Sequence, residues 1–521
     1  MLLPAGAIAQ STQNVSPDDP VYGFIDRLVA ARLVDTVAVG QRPMSRRAVG
    51  HMLGEARARL GADTGWIGSR LAEYASLYPV EQQRAPMLQA MSVEGTSAES
   101  PSRGIEPDGN GAIRVALNPL LGNQLGRVYV DGQTGSYSIS QSLGVTRWLA
   151  LELMPRLVLL DARGGDVRAD GRIEQLYARA LFRNAAVLVG RDYLYLGQGN
   201  SAGLISSLNP RGIDQVRLSS DRPFVLPWLL RHAGPIQAMA TLGDAGRNQY
   251  FPHTRFFAYK VTARPHRRFE IGTGLSEHVG GEGAPGGTFG QKAGDAFPLL
   301  DALFLHRNFL FSNKLVSVDL RYTIPGLRGV QFYAEGAFDD FDMRRVRSVF
   351  TEDAGYVWGL SASCFRECGP LRVSTEYHVT GLRYYTHGGF RDGYTVDGQI
   401  IGDQLGPRGK AGYGTVEWDR GLFGVDMTAA YESRSGHLYG SVTTTPDDSD
   451  FRFVVIGTKP TERRWRTMLT VNRGVPSSVL SYRFGLGAER VENFAHVDGP
   501  WRTNWMAQAG AQYRPVRRFF R

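Results

Sequence analysis

The feature that most constrains the fold of this chain is the strict alternation of apolar and polar or charged side chains in several long runs. In LVSVDLRYTI, one face carries Val316, Val318, Leu320, Tyr322 and Ile324. The other face carries Ser317, Asp319, Arg321 and Thr323. The segments LRVSTEYHVT, FGVDMTAAYE and VLSYRFGLGAE follow the same rule. A period of two residues is that of a β-strand, so the chain beyond residue 112 is predicted to consist of strands with one apolar face.

Two architectures accommodate such strands, a soluble sandwich and a membrane barrel. The runs are about ten residues long, which suits a tilted strand that crosses the hydrocarbon, whereas soluble strands average about five or six residues. Roughly 400 residues, at about 20 to 24 per strand with its turn, correspond to about 18 strands. So many antiparallel strands would leave exposed edges unless the sheet closed. We therefore predict a large antiparallel transmembrane β-barrel in the bacterial outer membrane.

The composition agrees with this class. No apolar stretch reaches the roughly 18 residues that a transmembrane helix needs, and 63 glycines, 22 tyrosines and 8 tryptophans suit barrel turns and interfaces. The net charge of +9 comes mainly from arginine and is scattered through the strand-like segments, which argues against nucleic-acid binding. Arginine pairs well with phosphates and carboxylates, as on lipopolysaccharide or acidic sugars. A genome that favours arginine codons is the alternative explanation of the bias.

The N-terminal part has a different, helical periodicity. Three amphipathic helices are predicted between residues 20 and 79, with Ser45 as the N-cap of the second helix and Pro79 at the end of the third. Residues 1–10 (MLLPAGAIAQ) resemble the end of a signal peptide, although an ordinary apolar N-terminus is the alternative. The predicted organisation is a signal-peptide remnant (1–10), an α-helical bundle (11–92), a linker (93–111) and the β-barrel (112–521).

Loop lengths predict an orientation. Short turns are expected on the periplasmic side of such a barrel and long loops outside. Residues 365–367 and 419–421 form short turns, whereas residues 380–412 form a long segment that we place outside. Extending this parity to the C-terminus requires a barrel strand at residues 436–444. The aromatic C-terminus, with Phe519 and Phe520, resembles the signal by which outer-membrane proteins are recognised, which makes the barrel-assembly machinery an expected partner.

Few residues suggest covalent or metal chemistry. Cys364 and Cys368 are the only cysteines, and they predict either a disulfide across a hairpin or two free thiols. The acidic groups Asp339, Asp340, Asp342 and Asp447, Asp448, Asp450 lack the spacing of an EF-hand. The segment GLSEH, with Ser276 and His278, is an incomplete nucleophile elbow. No metal, no cofactor and no enzymatic activity are predicted.

One segment resembles a known family. Residues 383–406, RYYTHGGFRDGYTVDGQIIGDQLG, resemble a signature of the Wzi family of capsule-assembly outer-membrane proteins, in which an aromatic and histidine-containing run precedes a D-G-Y-x-x-x-G-x-x-x-G segment. Residues 187–214, 222–235 and 270–285 fit that family in the same order. The resemblance implies an 18-stranded barrel, helices that plug it from the periplasm, and retention of a capsular or exopolysaccharide at the cell surface.

Saccharide binding needs aromatic faces for sugar rings and planar groups for hydroxyls and carboxylates. The candidates all lie in the long segment placed outside, and they are Tyr384, Tyr385, His387, Arg391, Asp392 and Tyr394. The alternative is that the tyrosines belong to the aromatic girdle and that Arg391 pairs with Asp392. Two other functions remain open: a porin or substrate-specific channel lined by Asp319, Arg321, Arg372 and Glu376, and a hydrolase at the rim that uses Ser276 or Ser312 with a histidine such as His306.

Overall fold

Eighteen long strands pair edge to edge, each antiparallel to its neighbours, and close into one barrel in the described part of the chain. The computed structural model describes residues 12–61, 65–79, 87–99, 103–105, 115–288, 312–339, 346–364, 368–442, 452–499 and 501–515. The strands are β1 Leu88–Glu99, β2 Gly132–Gly144, β3 Leu149–Ala162, β4 Val167–Phe182, β5 Ala185–Asp192, β6 Ile213–Ser220, β7 Pro235–Asp244, β8 Arg255–His266, β9 Phe269–Val279, β10 Ser312–Thr323, β11 Val330–Asp339, β12 Ala354–Cys364, β13 Cys368–Thr380, β14 Gly409–Arg420, β15 Phe423–Arg434, β16 Glu462–Arg473, β17 Leu480–Glu492 and β18 Arg502–Tyr513. The predicted β-barrel fold is confirmed.

The barrel closes through β1, whose position corrects the predicted domain boundaries. β1 pairs with β18 on one edge and with β2 on the other, although its residues were assigned to the helical bundle and the linker. Conversely, residues 115–117 pair with residues 103–105 in a separate two-stranded sheet that is not part of the barrel wall, and the second barrel strand begins only at Gly132. The predicted signal-peptide remnant lies outside the described residues.

Burial follows the alternation that the sequence predicts. On β10, Asp319 and Arg321 are only 2% and 3% exposed, whereas Val318 and Tyr322 are 46% and 37% exposed. In a water-soluble protein the two faces would be reversed, because charged groups are costly to bury. The exposed face is therefore the lipid-facing surface, and the charged face lines the lumen.

Outward aromatic side chains gather near both ends of the strands, as expected at the two membrane interfaces. Near one end lie Phe182, Tyr322, Trp418, Phe423, Tyr482 and Tyr513. Near the other end lie Trp358, Tyr377, Tyr431, Trp465, Trp501 and Trp505.

The two ends of the barrel also differ in their connections. At the end we name the short-turn end, strands are joined by brief turns such as residues 183–184, 267–268 and 421–422. At the opposite, long-loop end, residues 193–212 and 381–408 form long connections. β1 begins and β18 ends at the short-turn end. The orientation stays a prediction: by the usual asymmetry of such barrels, we expect the short-turn end to face the periplasm.

The alternation of strand direction up to the C-terminus needs no additional barrel strand at residues 436–444. The strand Leu438–Val442 forms a separate hairpin with Arg452–Gly457 at the long-loop end, and β15 pairs directly with β16. The requirement for a barrel strand at residues 436–444 was wrong, because this weak segment pairs locally within its own loop.

The N-terminal helices form a small bundle with one apolar core. They are α1 Val21–Ala30, α2 Arg46–Leu60 and α3 Trp66–Leu77. The predicted N-cap is confirmed, because the Ser45 side chain accepts a hydrogen bond from Ala48 N at 3.0 Å. Phe24 and Tyr74 stack with ring centroids 5.0 Å apart. None of the helices in the described residues is both long and apolar enough to cross a membrane.

The helical bundle packs against the short-turn end of the barrel. Trp66 Nε1 donates to Asp419 O at 2.6 Å, and Arg70 Nη2 donates to Gly421 O at 2.6 Å. A buried ion cluster adds to these contacts. Asp221, in the turn after β6, accepts hydrogen bonds from Ser45 Oγ and Arg179 Nη2, both at 2.7 Å. Charge-assisted bonds of this kind, shielded from water, fix the bundle in one position.

We predict that Val318→Arg destabilises the folded barrel by about 2–4 kcal/mol, because it places a guanidinium near the middle of the lipid-facing surface. Equilibrium unfolding in lipid bilayers measures the change. The control is Leu438→Arg on the exposed hairpin at the long-loop end, which should change stability little. Equal losses in the two variants would contradict the assignment of the lipid-facing surface.

The Asp221 cluster predicts a pH dependence of docking. Burial alone would raise the pKa of Asp221, but the Arg179 guanidinium and the Ser45 hydroxyl outweigh it and hold the pKa below its ordinary value. A carboxylate with a lowered pKa stabilises the contact at neutral pH, and this contribution is lost as the pH falls through the folded-state pKa.

We therefore expect Asp221→Asn to weaken docking of α2 at neutral pH, by on the order of 3 kcal/mol, because Arg179 loses its buried partner. Hydrogen exchange of the α2 amides measures this. In the unsubstituted protein, protection should fall only below about pH 4, and the variant should lack that acid-dependent step. Asp214→Asn, which removes an exposed carboxylate at the other end of β6, is the control. Equal effects of both substitutions would exclude the cluster as the docking contact.

Candidate functional site: the plugged lumen and its outer rim

A long connection crosses the lumen of the barrel. Residues 193–212, between β5 and β6, form what we name the inner loop, in which Leu204 and Ile205 are fully buried. Its backbone amides donate to carboxylates of the lumen wall: Gly199 N and Leu204 N donate to Glu335 at 2.6 and 3.1 Å. Ser201 N donates to Glu376 at 3.0 Å. Because these amides are out of reach of bulk water, the wall carboxylates supply the acceptors they require.

The charged residues predicted to line a pore do face the lumen, but they bind the inner loop. Arg321 donates to the Gln198 side chain at 2.8 Å, and Gln198 in turn donates to Asp319 at 2.8 Å. Arg372 Nη2 donates to Asn200 Oδ1 at 3.2 Å. At this level the lumen wall is occupied by the protein's own chain.

The N-terminal segment enters the lumen from the short-turn end and meets the inner loop. Gln41–Arg42 forms a two-stranded sheet with Tyr195–Leu196. Val39 N donates to Glu270 Oε1 at 3.1 Å, and Gln41 Nε2 donates to Thr262 Oγ1 at 2.8 Å. On the side of the short-turn end, the inner loop is thus paired with a short strand from the connection between the first two N-terminal helices.

From the long-loop end, the segment that carries the family signature packs onto the same inner loop. The Tyr384 and Tyr385 hydroxyls donate to Leu204 O, and the Tyr394 hydroxyl donates to Ile205 O at 2.6 Å. Ser207 N donates to Ile401 O at 2.7 Å. Burial raises the pKa of the Tyr385 hydroxyl well above its ordinary value, so it remains a neutral donor.

The base of this segment is fixed by a buried histidine. His378 on β13 contacts Asp403 through Nδ1 at 2.5 Å and Glu376 through Nε2 at 3.2 Å. The histidine therefore connects Glu376, which accepts from the inner loop, to Asp403, which lies near the end of the signature segment (residues 383–406). These contacts join β13, the inner loop and the signature segment.

These positions bear on the predicted saccharide contacts. Tyr384, Tyr385 and Tyr394 have 0% exposure and Asp392 has 1%, so their surfaces are covered by the protein. Neither part of the alternative is seen: the tyrosines stack inside the barrel, with the Tyr385 and Tyr394 centroids 5.3 Å apart, and Asp392 accepts from Tyr250 N at 3.0 Å. A sequence pattern rich in aromatic residues does not distinguish a ring buried under a loop from one offered to a ligand.

Two of the predicted residues are accessible, and one of them, Arg391, lies beside a residue that sequence reasoning missed. The other, His387, is connected to that residue through the rings of Phe390 and Phe251. Arg391 is exposed, His387 is partly exposed, and Tyr250 is 43% exposed in the loop between β7 and β8. The Arg391 guanidinium carbon lies 5.4 Å from the Tyr250 ring centroid, and no ion pair joins Arg391 to an acid among the described residues. We name Tyr250, His387 and Arg391 the rim cluster. In the sequence, the only sign of Tyr250 as a candidate ligand contact was the adjacent aromatic pair Tyr250 and Phe251 in the segment RNQYFPH.

Other candidate groups offer less. Ser276 is fully buried and accepts from the Tyr394 hydroxyl, whereas His306 lies outside the described residues. No cluster of three potential metal ligands occurs in the described residues, which include Asp339 but not the other acidic residues considered above. Cys364 and Cys368 are register partners at the ends of β12 and β13, and the disulfide stays a prediction.

The closed strands, the outward apolar face and the filled lumen define a plugged β-barrel of the outer membrane. The sequence pattern of the capsule assembly protein Wzi family matches residues 111–505. The chain therefore belongs to the Wzi family, and the recognised resemblance and the outer-membrane location are confirmed.

One solved structure agrees with the fold, and two others are more distantly similar. Wzi, an outer membrane protein involved in group 1 capsule assembly in Escherichia coli and described as a carbohydrate-binding β-barrel, is 15% identical, with a TM-score of 0.69 over 96% of this chain and 99% of that chain. OccAB1 of Acinetobacter baumannii is 9% identical, with a TM-score of 0.44 over 84% of this chain and 100% of its own. OprD of Pseudomonas aeruginosa is 9% identical, with a TM-score of 0.43 over 82% of this chain and 92% of its own. No curated protein sequence matches the chain.

We predict that the inner loop blocks ion flow. The unsubstituted protein should give no large steady current in planar bilayers. Replacing residues 197–205 by a Gly-Ser linker of equal length should open one, because it removes the Gln198 and Asn200 side chains that bind the lumen wall and the buried Leu204 side chain that fills the lumen. Inserting the same linker into the exposed turn at Gly164 and Gly165 is the control. A large current through the unsubstituted protein would contradict the blocked lumen and favour a channel.

Proposed function

We propose that this outer-membrane protein binds capsular or exopolysaccharide at the long-loop end and holds it at the cell surface. Membership of the capsule assembly protein Wzi family supports this function. The fold of the carbohydrate-binding Wzi barrel extends over nearly the whole chain. The observation on which the site depends is the rim cluster, where an aromatic ring and a guanidinium lie together on the accessible surface.

The chemistry of the rim cluster suggests the kind of sugar. The Tyr250 ring offers an apolar face for a pyranose ring. Arg391 is exposed beside it and offers paired N–H donors, which match the geometry of a carboxylate. The orientation of the His387 ring is fixed by its own loop, because its Nδ1 accepts hydrogen bonds from Gly389 N and Phe390 N, both at 3.0 Å. We infer that the preferred ligand is an acidic polysaccharide.

The remaining predicted contacts take a supporting role in this proposal. Tyr384, Tyr385, Tyr394 and Asp392 set the position of the loop that carries Arg391, and do not themselves meet the glycan. Asp392 is the most direct example, because it follows Arg391 in the chain and binds the backbone of Tyr250.

We propose a binding role in preference to transport or catalysis. The occupied lumen disfavours the channel, and the complete burial of Ser276 disfavours a rim hydrolase built on it. The helical bundle acts in this proposal as a periplasmic plug and brace. Lipopolysaccharide around the barrel and the barrel-assembly machinery, which would meet β18 during insertion, are further proposed partners.

The binding test compares Arg391→Ala and Tyr250→Ala with Arg347→Ala, which removes an exposed arginine from a short helix at the same end. Loss of a charge-assisted hydrogen bond should weaken binding of an acidic polysaccharide roughly tenfold or more. Tyr250→Ala should weaken it comparably, and the control should bind normally. Binding is measured by titrating the folded protein with the purified polymer. Unchanged affinity in both rim variants would exclude the rim cluster.

The cellular role has its own test. Cells that lack the protein should still synthesise polymer but release it into the medium, and cells with Arg391→Ala should release an intermediate share. The attached and the free polymer are quantified after gentle washing. Normal attachment in the deletion strain would contradict the anchoring role, whatever the purified protein binds.

A further inference from the structure

An unusually apolar connection lies at the short-turn end, far from the rim cluster. Between β6 and β7 the chain forms a short strand, Phe224–Val225, and a 3-10 helix, Trp228–Ala233. We name residues 224–233 the apolar turn. Trp228 is 89% exposed and Leu229 is 84% exposed, so its largest side chains point away from the rest of the protein. Contiguous exposed apolar groups of this size mark a surface that contacts something other than water.

The apolar turn is continuous with the barrel wall. Phe224 and Val225 pair with Ile236 and Pro235 at the start of β7. Ile236 shares the outward face of β7 with Leu242, yet it is only 8% exposed. Gly234, which follows the apolar turn, continues the pairing of β7 with β8, since a Cβ at this position would lie 2.0 Å from Arg264 O. The segment is therefore seated against the barrel.

The backbone of this segment presents the indole outward in an unfavourable conformation. Trp228 has a φ of 61°, in the left-handed region that L-residues other than glycine, asparagine and aspartate seldom adopt. This backbone conformation costs free energy, and transfer of the 89% exposed indole into an apolar environment would offset that cost.

The surrounding surface indicates what that environment is. The neighbouring strands present outward apolar side chains that continue towards the apolar turn, and these are Val187, Val189, Val216, Leu218 and Leu242. Phe182, 76% exposed, ends β4 at the same level. Arg231 and His232, both exposed, follow the apolar residues in the 3-10 helix. Aromatic rings beside basic groups at the edge of a lipid-facing surface are typical of the lipid headgroup region.

We propose that the apolar turn is an interfacial anchor that inserts Trp228, Leu229 and Leu230 into the phospholipid leaflet on the periplasmic side of the outer membrane. Arg231 and His232 then lie among the phosphate groups of that leaflet. The short-turn end thereby gains a lipid contact beyond its strands, on the side of the barrel where Asp221 holds the helical bundle. This inference is independent of the polysaccharide site.

The test places a nitroxide label on Leu229→Cys in a protein whose Cys364 and Cys368 are replaced by serine, folded into vesicles of phosphatidylethanolamine and phosphatidylglycerol. Power saturation compares the access of oxygen and of a water-soluble nickel chelate to the label. Leu218→Cys on the lipid-facing surface and Ser477→Cys in an exposed polar turn at the same end are the matched references. The anchor predicts high oxygen and low nickel access, as at position 218.

Access like that of position 477 would overturn the proposal, and so would shielding from both reagents, which would indicate a protein partner. If the cysteine-free protein does not fold, Trp228→Phe in the natural background replaces the label. The fluorescence that this substitution removes should be quenched by lipids brominated near the headgroup end of the acyl chains. A component insensitive to brominated lipids would refute insertion.

Discussion

The interior of this protein depends on hydrogen bonds between the backbone of the inner loop and carboxylates of the barrel wall. A barrel whose lipid-facing side chains are apolar must turn its charged side chains inward, where Glu335 and Glu376 are nearly inaccessible to water. Unpaired, such groups would be costly. The amides of residues 199, 201 and 204 supply donors to the two carboxylates, and the carboxylates satisfy amides that form no barrel pairing. Each hydrogen bond therefore offsets the free-energy cost of burying both the amide and the carboxylate.

Both ends of the molecule are organised around that contact. The strand Gln41–Arg42 pairs with the inner loop on the side of the short-turn end. On the side of the long-loop end, three tyrosines of the signature segment donate hydrogen bonds to carbonyls of the inner loop. The carbonyls of Leu204 and Ile205 would otherwise be buried acceptors without donors. The three tyrosines of the signature are therefore explained by the need to complete a plug, and their side chains are covered by the protein's own chain.

The sequence predicted the barrel well because its main signal is local. Alternation in a run such as LVSVDLRYTI needs no knowledge of the partner strand, and burial of Asp319 beside exposed Val318 follows from it directly. The Ser45 cap is equally local. β1 escaped prediction because its residues, LQAMSVEGTSAE, are small and polar in large part, and they form a strand only because β2 and β18 offer two edges.

The functional residues were harder to predict, for a related reason. Whether Tyr385 or Tyr250 is exposed depends on how three separate loops fold over one another, and no spacing within a single loop contains that information. The rim cluster combines residues 250 and 391, which come from different loops. Two hydrogen bonds join these two loops. Asp392 accepts one from Tyr250 N, and the Gln249 side chain donates the other to Thr395 O at 3.1 Å. The chemistry of the residues was recognisable in advance, whereas their accessibility was not.

In the function proposed above, the plug also prepares the outer surface for binding. A flexible loop that carried Arg391 would lose conformational freedom each time it gripped a sugar, and that loss would be subtracted from the affinity. Here the loop is already held, because its tyrosines reach the inner loop and its aspartate reaches the backbone of Tyr250. The aromatic ring and the guanidinium of the proposed site are consequently held in a fixed relation before any glycan binds. The filled lumen is therefore compatible with the proposed binding role, since the same buried contacts that occupy the lumen hold the loop at the rim in one position.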